Sequence, residues 1–97
     1  MTERSLKIIF SPPAQRTMEG LEMSTALQLA RDIKDYLETG PLPIGKTRIK
    51  KLSGFKPSLF RLRSGDFRVY YRFIANQVII LAITDKKDSE KILKRLR

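Results

Sequence analysis

The chain contains no cysteine and no histidine. Without cysteine there is neither a disulfide framework nor a thiolate metal site. Without histidine the commonest general base and the commonest transition-metal ligand are both missing. Any acid–base chemistry therefore falls to Lys, Arg, Tyr, Asp or Glu. No apolar run approaches the roughly 20 residues that a membrane-spanning helix needs. The opening Met1-Thr2-Glu3-Arg4-Ser5 is not followed by the apolar core and small-residue cleavage site of a signal peptide. The expectation is a soluble, cytoplasmic protein with no membrane partner, no cofactor and no metal. Its 97 residues suffice for one domain, 1–97, around a single modest core.

Acidic residues are scarce just where basic ones crowd. Residues 1–45 carry five basic and six acidic side chains. Residues 46–72 carry nine basic (Lys46, Arg48, Lys50, Lys51, Lys56, Arg61, Arg63, Arg68, Arg72) and one acidic (Asp66), a net of +8. Residues 73–97 add six basic and three acidic, which brings the chain to +10. Evenly scattered lysines would speak only for solubility, and a solvated charged face is the plain alternative. A block this dense suits a polyanion, either nucleic acid or an acidic protein partner.

The apolar pattern sets the frame for that block. Residues 6–10 form a short run, β-branched in the middle, that predicts a strand. Ser11-Pro12-Pro13 then suits a helix start, with Ser11 as N-cap and the prolines in the first turn. This first helix extends to about Leu21. A second begins near Ser24, with Ala26, Leu29, Ala30, Ile33, Tyr36 and Leu37 as its buried stripe. It ends at Gly40-Pro41, and an irregular connection runs to Gly45. Three strands follow, over 59–63, 67–74 and 78–83, with turns at Ser64-Gly65-Asp66 and Ala75-Asn76-Gln77. The last of these is an unbroken apolar run, as in a strand covered on both faces. Asp85 or Asp88 caps a final helix through Ile92, Leu93 and Leu96. The expected class is α+β, order β-α-α-β-β-β-α, a small twisted antiparallel sheet with helices packed on one face.

Alternation sorts the charges. With Phe60, Leu62, Phe67, Val69, Tyr71 and Phe73 inward, Arg61, Arg63, Arg68 and Arg72 share the outer face with Tyr70. Adjacent strands hold such side chains about 5 Å apart, where like charges repel unless an anion sits among them. Arginine forks match phosphate oxygens, and Tyr70 offers a ring on which a base can stack. The alternative is a solvated hairpin face whose arginine stems lie over apolar neighbours.

Lys51-Leu52-Ser53-Gly54, followed by Leu59-Phe60-Arg61-Leu62-Arg63-Ser64-Gly65-Asp66-Phe67-Arg68-Val69-Tyr70-Tyr71, resembles the "K-L-x-G … Y-R-x-R-x-G-D-Y-R-V-x-Y" stretch of the RelE/ParE toxin superfamily. Phe10-Ser11-Pro12-Pro13-Ala14-Gln15 is similar to that superfamily's first strand and helix start. Ile83-Thr84-Asp85-Lys86-Lys87-Asp88-Ser89-Glu90 lies where many members carry "I-G-H/D-R-x-D-x-Y". The resemblance follows most of the chain in element order and is specific in residue detail over about 51–72.

The resemblance implies a RelE-like mRNA interferase, the toxin of a type II toxin–antitoxin system that cuts mRNA on the ribosome. Arg68 then matches the arginine at the scissile phosphate, Arg61 a basic position on the preceding strand, and Lys86 the C-terminal arginine. Glu90 stands where the family has a catalytic tyrosine, a departure that bears on catalysis and not on the fold. The expected catalytic set is Arg68, Arg61, Lys86 and Glu90. Arg63, Arg72, Tyr70, Lys50, Lys51, Lys56 and Lys87 are expected to bind RNA. Cleavage of this kind needs a base for the 2′-OH, an acid for the leaving oxygen and cations for the developing charge. Lys86, Lys87 and Glu90 are candidates for the base, and Tyr70 for the acid. Expected partners are a cognate antitoxin, mRNA with the ribosome, and operator DNA through the toxin–antitoxin complex. Two rival readings are a ParE-like inhibitor of DNA gyrase and a catalytically weak homologue that binds antitoxin and operator.

Overall fold

The computed structural model describes residues 6–38, 40–42 and 48–96. Residues 1–5, 39, 43–47 and 97 lie outside the described residues, among them Lys46 and the latter half of the expected 40–45 connection. The elements are β1 (Lys7–Phe10), α1 (Pro12–Glu19), α2 (Met23–Leu37), β2 (Ile49–Leu52), β3 (Leu59–Ser64), β4 (Phe67–Ile74), β5 (Gln77–Asp85) and α3 (Ser89–Leu96). They form one five-stranded sheet of order β1-β5-β4-β3-β2, in which β1 runs parallel to β5 and the other pairs are antiparallel. The α+β class and the expected order hold. One short edge strand, β2, is added where charge masks the pattern.

The unbroken apolar run of β5 has two causes. The strand lies between β1 and β4, and both of its faces are covered. It also carries a bulge: Tyr70 pairs with Ala82 but Tyr71 with Ile80, which leaves Leu81 extra. Ile80 and Ile83 therefore enter one core while Leu81 and Ala82 join another, so strict alternation is lost. Ser11 at the start of α1 takes up the bulge, its Oγ donating to the Leu81 carbonyl at 2.9 Å. The same Oγ accepts from Ala14 N–H at 3.3 Å as the N-cap.

The main core joins α1 and α2 to the inward face of the sheet through Ala14, Leu29, Ile33, Leu37, Leu62, Val69, Tyr71 and their neighbours. The second lies on the opposite face, where Leu59, Tyr70 and Ala82 receive Ile92, Leu93 and Leu96 of α3. The expectation that every helix packs on one face is thus corrected for α3. Its apolar triad needs a floor, and that face supplies one between the arginines.

Candidate nucleic-acid interface

The β3–β4 hairpin sets the register of the charges. Gly65 begins its two-residue turn at φ +58, a conformation that glycine adopts without a Cβ penalty. Arg63 then faces Arg68, Arg61 faces Tyr70, and Lys50 on β2 faces Arg61. Directly opposed residues share a face. Lys50, Arg61, Arg63 and Arg68 therefore leave the sheet on the α3 side, and Arg72 joins them two residues beyond Tyr70.

Three further basic residues fall around this face. The Lys86 N–H donates to the Asp66 carbonyl at 3.0 Å, which ties the segment after β5 to the hairpin tip near Arg68. Lys87 follows it, exposed. At the other end, Lys56 and Arg72 line a cleft of about 390 Å³ with Ser53 and Leu96. Glu90 is exposed in the first turn of α3. Lys51 is different: it pairs with Phe60, an inward residue, so it faces away from Lys50 and the arginines.

Tyr70 is the larger correction. It is 0% exposed beneath α3 and presents no ring to a base. Its hydroxyl is instead hydrogen-bonded to Ser89 Oγ at the start of the helix. Ser89 was invisible to sequence reasoning because serine between two acids at a helix start reads as a solvated cap.

The cations are not neutralised. Among the described residues the side-chain ion pairs are Arg48–Asp32 at 3.8 Å and Lys91–Asp88 at 4.0 Å. Neither involves Lys50, Arg61, Arg63, Arg68 or Arg72. Arg68 folds back on its own hairpin, donating to the carbonyls of Gly65 at 3.3 Å and Phe67 at 3.1 Å. The Nε atoms of Arg61 and Arg72 are buried without a hydrogen-bond partner.

Behind the hairpin, Asp32 of α2 is 6% exposed. It accepts from Ser64 Oγ at 2.6 Å and from Gln28 Nε2 at 3.2 Å. This fixes the end of β3 from which Arg63 projects. Tyr71 plays no chemical part: burial raises its phenol far above the ordinary tyrosine range, and its hydroxyl donates to the Pro41 carbonyl. Among the described residues no group of three or more Asp or Glu is placed to hold a metal, and no helix is long and apolar enough to cross a membrane.

No protein-family model matches the chain, and no curated protein matches it in sequence. Solved structures do. A chain of the RelBE2 toxin–antitoxin complex from Mycobacterium tuberculosis aligns with a TM-score of 0.72 at 21% identity, covering 90% of this chain and 98% of that one. The isolated Escherichia coli RelE toxin aligns with a TM-score of 0.68 at 18% identity, covering 94% and 99%. The chain has the RelE-like toxin fold. An archaeal RelE–RelB complex from Pyrococcus horikoshii agrees, with a TM-score of 0.62 at 24% identity over 84% of this chain and 94% of that one. On this RelE-like frame the unneutralised cations crowd one sheet face around the terminal helix.

Proposed function

We propose that this chain is the toxin of a toxin–antitoxin pair and that it stops translation by cutting mRNA on the ribosome. The observation that carries the reading is the set of five cations on one sheet face, none of them in a side-chain ion pair among the described residues. Opposed like charges cost stability, and a polyphosphate chain removes that cost. The neighbours that share the fold include toxins crystallised with RelB, which supports a cognate antitoxin here. An acidic, amphipathic segment suits this face, and operator DNA would be reached through the complex.

In the proposed reaction the 2′-OH attacks its own phosphate, forming a 2′,3′-cyclic phosphate and releasing a 5′-OH. Arg68 and Arg61 stabilise the charge on the equatorial oxygens, with Lys86 as a third cation at the hairpin end. Glu90 takes the 2′-OH proton. Lys50, Arg63, Arg72, Lys56 and Lys87 hold flanking phosphates. Lys51 faces the other way and is left out. No step calls for a metal.

Primer extension on mRNA after induced expression tests the reading. Discrete cuts inside translated codons are expected. Intact mRNA with gyrase-linked DNA breaks would select a ParE-like activity instead. Arg68→Ala should abolish toxicity while antitoxin binding survives, because one charge-assisted contact to the transition state is worth about 3–4 kcal/mol, a hundredfold or more in rate.

A further inference from the structure

Cleavage needs an acid for the departing 5′-oxygen. Histidine is absent, and the cations Arg61, Arg63 and Arg68 are poor donors because guanidinium does not give up a proton at neutral pH. Two hydroxyls meet in the middle of the cationic face. Tyr70 rises from β4 directly across from Arg61, and Arg68 and Arg72 flank it two residues away on either side. Its hydroxyl meets that of Ser89. Tyr70 is sealed from solvent, but Ser89, the first residue of α3, is partly exposed and precedes Glu90 in the chain.

We infer that Ser89 is the general acid of the cleavage reaction and that Tyr70, behind it, supplies the replacement proton. The inference rests on the RNA-cleaving reading above. The bond from the 2′-oxygen to phosphorus forms as the bond from phosphorus to the 5′-oxygen breaks. The 2′-OH proton passes to the Glu90 carboxylate, the Ser89 proton to the 5′-oxygen, and the Tyr70 proton to Ser89. The transient phenolate lies opposite Arg61, which supplies its counter-charge. Water then carries the proton from Glu90 to Ser89, whose own proton passes back to Tyr70 along the hydrogen bond between them, and the site is reset. A lone serine is a weak acid, and the tyrosine behind it makes the transfer effective. Ser89 is the catalytic residue in this scheme and Tyr70 the positioning residue.

A hydrogen bond that merely docks α3 would have different consequences, and leaving-group chemistry separates the two. Ribosomes are programmed with a short synthetic mRNA carrying either the ordinary linkage or a 5′-bridging sulfur at the scissile position. Thiolate leaves without an acid. Wild type should cut both. Ser89→Ala and Tyr70→Phe should slow the ordinary linkage about a hundredfold or more, yet cut the sulfur linkage within about threefold of wild type. Ser89→Thr, which keeps a hydroxyl, should restore most of the ordinary rate. Equal slowing on both linkages, or no slowing on either, overturns the acid assignment and leaves RNA cleavage standing. A wild-type protein that cuts neither linkage overturns the cleavage reading, and the inference with it.

Discussion

Arg63 provides a test in which stability and binding should move in opposite directions. It is exposed and stands directly opposite Arg68 on the neighbouring strand. Two unit charges about 5.5 Å apart repel by about 0.8 kcal/mol in water. Salt at ordinary strength leaves about 0.5 kcal/mol of that. Arg63→Gln keeps the length and polarity of the side chain and removes the charge. In the absence of nucleic acid the variant should therefore melt about 2–4 °C higher than wild type. Binding should weaken at the same time. Each cation in contact with a single-stranded phosphate contributes about −0.7 to the slope of log K against log salt. If all five cations of the face engage, the wild-type slope is about −3.5 and the variant's about −2.8. Fluorescence anisotropy with a short single-stranded oligoribonucleotide, read across a salt series, gives both slopes, and thermal denaturation gives the stability. A lower melting temperature with an unchanged salt slope would refute the argument, since Arg63 would then stabilise the fold and not bind an anion.

Asp32→Ala should cost about 2–3 kcal/mol in denaturant unfolding, because it strips a buried Ser64 hydroxyl of its charged acceptor; Asp32→Asn, which still accepts, should cost less. Ala75 begins the β4–β5 turn at φ +51, where an L-side chain is strained. Ala75→Gly should gain about 0.5 kcal/mol after glycine's own entropy is set against the relief. Tyr71 binds its proton more tightly folded than unfolded, so its contribution to stability is complete below about pH 10 and is lost as pH rises beyond that. Tyr71→Phe should flatten the fall in unfolding free energy between about pH 10 and 11.5, measured by urea titration at each pH.

Much of this arrangement was legible because one face of β3 and β4 is core. Leu62, Val69 and Tyr71 alternate with Arg61, Arg63 and Arg68, and the pairing observed keeps that register. Ser11 with its two prolines announced the start of α1, and the structure places the cap there. β2 was hidden because two lysines occupy half of Ile49-Lys50-Lys51-Leu52, leaving too little alternation to read. The side on which α3 packs was hidden for another reason. Ile92, Leu93 and Leu96 show that the helix has an apolar face, but periodicity says nothing about which side of the sheet receives it. Tyr70, set between Arg68 and Arg72, therefore read as exposed by its neighbours' polarity. In α2, Asp32 looked like part of the charged face, and its role emerges only because Ser64 comes from a strand 32 residues away.

The position of α3 also explains why the cationic face stays open. Its underside fills the apolar strip of Leu59, Tyr70 and Ala82, and its one carboxylate, Glu90, forms no ion pair with the arginines on either side. Its last turn carries Lys94 and Arg95, which favour the helix dipole but add to the local field. The helix itself has no fully buried residue and is joined to the sheet through a thin apolar contact and the Tyr70–Ser89 bond. A sheet face built only for stability would set acids opposite these arginines, as Asp32 is set near Arg48 at the other side of the molecule. Here the apolar part of the face is covered and the charged part is left unpaired. That division is what a protein needs if it must fold alone and then close on a polyanion, and it is why the chemistry proposed above centres on the border between α3 and β4.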